Sequence, residues 1–302
     1  MTSSPTPRPG DPMTGEPTRS ATIGLVTDSN SQLTSELAAR FDVEVVPMTI
    51  TIDGDEYAEG VDLDADGFYA HFDGGRTPEV ATSQPSPGTF VEVYRRLVGR
   101  GCTEIWSIHI AEAMSGTAGS ARIAAGSVDV PVHVIDTGSA SFGVAACVWA
   151  AGVVRDRGGD ADDVRRRIDG FMSRLGTAFM VGVPLLTERG GRAPELELPG
   201  EAISVIAMDG GEVRVLEQVS TIEDTVDVMS TYATSWLERE PAGVTVAVGT
   251  ADEPSRDLSG RLAAALTDVP GIDHIVHYRV GPSVGAHTGP GTFGLFVFPT
   301  IR

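Results

Sequence analysis

From residue 22 onward the chain alternates short apolar runs with amphipathic stretches. TIGLVT (22–27) is rich in β-branched residues and ends on Asp28-Ser29-Asn30, the pattern of a buried strand running into a turn. Leu33 to Phe41 predicts a short helix, VEVVPMTI (43–50) a strand, and Asp53-Gly54 between Ile52 and Tyr57 a hairpin turn. Ser86-Pro87 is a helix start, with Ser as N-cap and Pro at the first helical position. Phe90, Val91, Tyr94, Leu97 and Val98 follow at helical spacing. EIWSIHI (104–110) and VHVI (132–135) predict strands. A helix of small residues follows Ser115, an apolar one spans about Ser141–Arg155, and a charged amphipathic one about Asp160–Leu175.

Strands alternating with helices over 22–175 predict a parallel sheet covered on both faces. After Thr177 the texture changes. TAFMVGV, AISVIAM, VRVLEQV, VTVAVGT, HIVHYRV and FGLFVF predict strands, with only two helices among them, about 221–239 and 254–267. The DGGEV turn at 209–213 joins two strands as a hairpin. The expected fold class is therefore α/β with two domains. Residues 21–175 form an N-terminal parallel-sheet domain, 176–302 a C-terminal mixed α+β domain, and 1–20 a disordered tail with five prolines.

Charge narrows the function classes. The 302 residues carry 42 acids against 22 bases, a net charge of −20. Such an excess disfavours nucleic acid and anionic membrane surfaces, both polyanions. Every base is arginine. With no lysine, a Walker-type phosphate loop, a Schiff-base enzyme and a kinase-type catalytic lysine are excluded. Cys102 and Cys147 form neither a disulfide framework nor a zinc cluster and read as small hydrophobes in a reducing compartment. The longest nearly unbroken apolar run, Phe142–Val154, has 13 residues, short of the roughly 18 a membrane span needs. The first 20 residues lack the apolar core of a secretory signal, so a cytoplasmic location is expected.

Three signatures fail on context. Gly289-Pro-Gly291-Thr-Phe-Gly294 has the GxGxxG form, but too little chain follows for a helix and second strand. Gly281-Pro-Ser283-Val-Gly285 has the GxSxG form, yet Gly and Pro argue against the strand–turn–helix of a nucleophile elbow. Asp62, Asp64, Asp66, Gly67 and Asp73 approach an EF-hand loop without its entering helix or its final Glu. The acidic run reads instead as a helix start capped by Asp62 or Asp64, with Phe68 and Phe72 packed inward.

Three polar, glycine-containing segments survive: Thr82–Ser86, Ser115–Ala121 and His287–Gly291. Ligands of open parallel sheets bind beyond the carboxyl ends of the strands, where SGT (115–117) falls, at a helix N-terminus suited to anions. Hydroxyls and one imidazole, without lysine or an arginine cluster, suit one carboxylate better than a phosphate. Ser115 alone would be an ordinary N-cap, but its small neighbours Gly116, Ala118, Gly119 and Ala121 permit close approach. His71, His109, His133, His274 and His277 read as core or surface histidines. Arg189-Gly-Gly-Arg192 reads as a turn that places a guanidinium at the domain boundary.

DSNSQL (28–33), EGVDLDADGFY (59–69), TSQPSPGTF (82–90), SGTAGSA (115–121), VIDTGSASFG (134–143), ERGGR (188–192) and HTGPGTFG (287–294) occur in that order. In this the chain resembles the DegV family of bacterial fatty-acid-binding proteins, called FakB where they serve a fatty acid kinase. The resemblance runs from about Thr22 to Phe298. It implies two α/β domains holding one long-chain fatty acid in a tunnel between them. Matched residue by residue, the carboxylate would meet Thr82, Ser83, Ser115 with Gly116, and His287, and Arg192 would stand near the outlet of the head-group network. No cofactor is implied beyond the fatty acid. The implied partner is a kinase with a dihydroxyacetone-kinase-like domain that phosphorylates the bound carboxylate, so the chain would present substrate rather than catalyse. Pro199-Gly200-Glu201, Ser220 before Thr221, and Leu186-Thr187-Glu188 depart from the family pattern at positions that would face the kinase.

Three readings follow: a fatty-acid carrier; a serine esterase or lipase using Ser115 or Ser283 with His287; and a regulator that senses lipid. The helix Ser141–Arg155 and the segment TAFMVGVPLL (177–186) are the expected tunnel walls.

Overall fold

A computed structural model describes residues 22–183, 203–209 and 212–302. The proposed tail, Arg192 with its Gly-Gly turn, Leu186-Thr187-Glu188 and Pro199-Gly200-Glu201 lie outside the described residues.

The first sheet has the order β2-β1-β6-β7 and is parallel throughout, from β1 (Ile23–Asp28), β2 (Val43–Val46), β6 (Glu104–His109) and β7 (Val132–Asp136). Side chains alternate across it, so Leu25 and Trp106 enter one core while Val26 and Ile105 enter another. On the second side lie α3 (Pro87–Gly99) and α4 (Thr117–Ala125), through Phe90, Tyr94, Leu97 and Ala121. As expected, Ser86 caps α3 by accepting the Thr89 N–H at 3.2 Å.

VEVVPMTI is not one strand. β2 stops at Val46, and β3 (Thr49–Ile52) starts a separate three-stranded sheet of order β4-β3-β5, with β4 (Asp55–Ala58) and β5 (Val80–Ser83). Pro47 lacks the N–H that a continuing ladder needs, so the run breaks there. α1 (Ser35–Phe41) precedes β2. α2 (Ala65–Ala70) follows β4, and Asp64 caps it by accepting the Gly67 N–H at 2.7 Å.

β8 (Gly176–Met180) opens the second large sheet, of order β10-β9-β8-β13-β11-β12. It is mixed: β11 (Val244–Thr250) and β12 (Ile272–Arg279) run parallel, while β9 (Ile203–Asp209), β10 (Glu212–Val219) and β13 (Phe293–Pro299) enter antiparallel pairs. α7 (Asp224–Ser235) and α8 (Glu253–Thr267) cover its outer face, meeting Met180, Val205, Val246, Leu295 and Val297.

α5 (Phe142–Asp156) lies between the two large sheets, with α6 (Ala161–Met172) beside it. Its residues Phe142 to Val153 are all buried. One side meets Leu25 and Ile108 of the first sheet, and the other meets Ala247, Phe296 and Phe298 of the second. A helix sandwiched this way must be apolar all round, which accounts for the run that is too short for a membrane. Among the described residues no helix is long and apolar enough to cross one.

Among the described residues after 175, a third helix, α9 (Pro282–Thr288), corrects the expectation of two. Pro282 at its first turn is a start signal, not a stop. The segment therefore is strand, turn and helix, contrary to the expectation for Gly281–Gly285. Gly289–Gly291 lead into β13 rather than a helix, so the GxGxxG form frames no dinucleotide site.

Candidate functional site

A cavity, partly open to solvent, lies beyond the N-terminus of α5, where that helix stops covering the second sheet. Phe179, Ile206, Gly294 and Phe296 form its floor on neighbouring strands, with Phe179 paired to both Gly294 and Ile206. Gly294 must lack a side chain there, because a Cβ would lie 2.5 Å from Phe179 Cβ. The walls come from loops at the carboxyl ends of the first sheet, which supply Asn30, Ile110, Met114, Ser115 and Ser141. Met48, Thr82 on β5 and the inner side of α9 complete it. Of the expected walls, Ser141, the N-cap of α5, and Thr177, Phe179 and Val181 line it, while residues 142–155 do not, because the two sheets bury that helix, and residues 184–186 lie outside the described residues.

The lining is apolar except at a few points. Thr82 Oγ1 and His287 Nε2 lie 3.1 Å apart, joining β5 to the last turn of α9. Ser115 lines the same cavity, with Oγ 2.8 Å from Thr117 Oγ1 at the start of α4. Gly116 is the N-cap of α4, and the Gln84 amide lies where its Cβ would be, 2.6 Å from Nε2. The TSQPS and SGT segments therefore touch. Ser83 is exposed, because successive strand residues point to opposite faces and Thr82 takes the inward one. The structure thus brings Thr82, Ser115 and His287 to one cavity, with Gly116 beside them, and leaves Ser83 outside it.

Sequence reasoning missed a second polar cluster that fastens α9. Glu59, 5% exposed, accepts from Ser29 Oγ at 2.5 Å, from Ser283 N at 2.9 Å and from Ser283 Oγ at 3.0 Å. Gln32 Oε1 accepts the Gly281 N–H at 2.5 Å. Asn30 donates to Ser283 Oγ and accepts the Ser141 N–H. Burial pushes the Glu59 carboxyl above its ordinary value, against the opposing pull of its hydrogen-bond donors. Ser141 holds a left-handed φ of 54°, an unfavourable conformation for serine that the Asn30 bond helps to hold. The available signal was Ser283 and His287 four residues apart after a Gly-Pro, which puts both on one side of a helix.

The geometry bears on the esterase reading. Ser283 Oγ is engaged with Glu59 and Asn30, Ser115 Oγ with Thr117, and His287 Nε2 with Thr82. An Asp–His–Ser arrangement exists elsewhere. Asp28 Oδ2 meets His109 Nδ1 at 2.8 Å, and His109 Nε2 meets Ser107 Oγ at 2.6 Å. Ser107 Oγ in turn lies 2.8 Å from the Tyr94 hydroxyl. These side chains are buried in the core and none lines the cavity. The chain of bonds ties β1, β6 and α3 together, and burial raises the Tyr94 phenol to about 12. Among the described residues no cluster of His, Cys, Asp or Glu is placed to hold a metal ion.

Two sheets about a shared helix, with an apolar cavity and an inward-facing hydroxyl–imidazole pair, define a two-domain α/β protein with a cavity at the domain junction. Comparison with known proteins gives the family. The model of an uncharacterised family, DegV, matches residues 22–300. A DegV domain-containing protein of Streptomyces coelicolor is 31% identical over 279 residues, covering 91% of this chain and 98% of its own. The chain belongs to the DegV family. Among solved structures, a fatty-acid-binding DegV family protein of Thermus thermophilus aligns with TM-score 0.83 and 26% identity, over 92% of this chain and 99% of that one. A stearic-acid-binding protein of Eubacterium ventriosum aligns with TM-score 0.84 and 24% identity, over 92% and 98%.

Proposed function

We propose that the cavity binds one long-chain fatty acid, with its carboxylate at Thr82, Ser115 and His287 and its acyl chain over Phe179, Ile206 and Phe296. Gly116, whose missing side chain admits the Gln84 amide, sets Ser115 against the head group from the start of α4, and Ser83 belongs to the rim. The observation that carries this is an apolar cavity with the Thr82–His287 pair and Ser115 in its lining. The fatty-acid-binding Thermus relative supports the same ligand class. The domain division at 175/176 is supported by the turn between the end of α6 at Met172 and the start of β8 at Gly176.

The energetics agree. Burial of apolar surface contributes about 25 cal/mol per Å², so a sixteen-carbon chain gains on the order of 10 kcal/mol before ordering costs. The tail thus dominates affinity, while the hydroxyls and imidazole prevent the large cost of a buried, unpaired carboxylate. The chain acts as a cytoplasmic carrier that presents the carboxylate to a fatty acid kinase for acyl-phosphate formation.

The test is solvent extraction of the purified protein with mass analysis of the lipid, followed by titration of the delipidated chain with palmitate. A stoichiometric fatty acid, or saturable uptake of palmitate, is expected. Absence of both lipid and uptake would overturn the assignment. Acyl-phosphate formation with a purified kinase of the dihydroxyacetone-kinase-like class tests presentation separately. Serine-dependent ester turnover would favour the hydrolase instead.

A further inference from the structure

We propose that Glu59 is a positioning residue for His287: it caps α9 from the N-terminal domain and so fixes where the imidazole meets Thr82 and the ligand head group. This rests on the fatty-acid reading of the cavity.

α9 spans seven residues, too few to be stable on its own. Its N-cap is Gly281, which has no side chain to satisfy the first-turn amides. The Gly281 carbonyl takes the Val284 and Gly285 N–H groups, and the remaining two are satisfied from the other domain. Gln32 takes the Gly281 N–H, and Glu59 takes the Ser283 N–H and hydroxyl. Glu59 is itself held by Ser29, whose hydroxyl also accepts the Met48 N–H at 2.9 Å. The middle of the helix is pinned as well. A Cβ at Gly285 would lie 2.7 Å from Phe68 and from the Tyr69 hydroxyl, and Tyr69 donates to Val280 O at 3.0 Å.

Ser283 and His287 stand four residues apart on one side of α9, about 6 Å along its axis. A displacement of Ser283 therefore reaches His287 through a single turn. At the far end His287 meets Thr82 of β5. The helix that carries the imidazole is thus held at both ends by the N-terminal domain. The hydrogen bonds need an acceptor at the reach of a glutamyl side chain, not a negative charge. Burial that favours the neutral carboxyl is consistent with this.

The test compares Glu59→Gln, which keeps the reach and the Oε1 acceptor, with Glu59→Asp, which keeps the carboxyl but is one methylene shorter. Affinities of the delipidated full chain for a fatty acid and for the fatty alcohol of equal length are measured for each. Glu59→Gln is expected to bind both like the wild type. Glu59→Asp is expected to lose about tenfold on the acid and little on the alcohol, the loss of about one charge-assisted hydrogen bond at the head group. Equal losses on both ligands, or no loss on either, overturn the proposal. If Glu59→Asp does not fold, Ser283→Ala is decisive, because it removes the hydroxyl that Glu59, Asn30 and Gln32 hold and leaves the helix and its backbone bond to Glu59. A selective loss on the acid supports the proposal and an unchanged acid-to-alcohol ratio overturns it. A wild-type chain that binds neither ligand overturns the fatty-acid reading itself.

Discussion

Thr82 Oγ1 and His287 Nε2 lie 3.1 Å apart although 205 residues separate them in the chain. The contact exists only when β5 and α9 come together, so it reports closure of the two domains around the cavity. A carboxylate there would be met by a hydroxyl and an imidazole already oriented by each other, which lowers the ordering cost of binding. Thr82→Val keeps the shape and removes the hydroxyl. It is expected to weaken fatty acid binding roughly tenfold, about 1–2 kcal/mol for one hydrogen bond. The melting temperature should barely change, because Thr82 is only partly buried. Calorimetric titration of the delipidated variant measures this, and wild-type affinity would remove Thr82 from the site. Ser115→Ala and His287→Ala should likewise impair kinase presentation more than lipid retention. Lipid-loaded variants that remain full kinase substrates would contradict that.

The cavity floor is expected to set chain length. Ile206 faces the cavity from β9 while Ala207 faces the opposite core. Ile206→Trp adds bulk without disturbing that core. It should displace about two methylenes of ligand, each worth ~0.8 kcal/mol of burial, and shift the co-purified lipid toward shorter acids. Mass analysis of extracts from both proteins decides it. An unchanged length distribution would place the tail elsewhere.

Much of this site was legible because its chemistry sits in short segments. The polar, small-residue runs at Thr82, Ser115 and His287 stand out against their apolar surroundings, and the alternating pattern before residue 175 gives the parallel sheet. α9 was not legible. Seven residues that open with Pro after a Gly and contain another Gly carry little helical signal, and their caps come from Gln32 and Glu59, about 250 and 224 residues away. Glu59 itself sits in an acidic stretch that reads as solvated surface, and only the tertiary fold buries it. The break at Pro47 was written in the sequence, yet the apolar residues on both sides of it look like one strand because both halves are strands, in different sheets.

The interior Asp28–His109 contact gives a stability prediction. Both side chains are fully buried, and Asp28 also accepts the Asn30 and Ile110 N–H groups. His109→Leu removes the partner, leaving the buried Asp28 carboxyl with only the Asn30 and Ile110 N–H groups and Ser107 with only the Tyr94 hydroxyl. A loss of about 3–5 kcal/mol is expected, the usual cost of breaking a buried pair from one side. Urea denaturation of the two proteins measures it. A difference under ~1 kcal/mol would show that the contact adds little to the fold.

The buried carboxyl of Glu59 predicts how stability changes with pH. Its folded-state value lies above the ordinary 4.5 because burial disfavours the charged form. Between the unfolded and folded values the native state therefore holds more protons than the unfolded chain. The unfolding free energy must then fall as pH rises through that window, and the contribution is fully present only below it. Surface carboxylates held low by hydrogen bonds, such as Asp163 and Asp273, act in the opposite sense, so the whole-protein curve mixes the two. Subtracting the curve of Glu59→Gln isolates the buried group, since the amide does not titrate and the surface acids are common to both. The wild type should lose stability relative to Glu59→Gln as pH rises from about 4.5 toward neutrality. Denaturant midpoints at half-unit intervals of pH give the difference curve directly. A flat difference, or one that rises with pH, would mean that the donors from Ser29, Gln32 and Ser283 outweigh desolvation and that Glu59 is ionised in the folded protein.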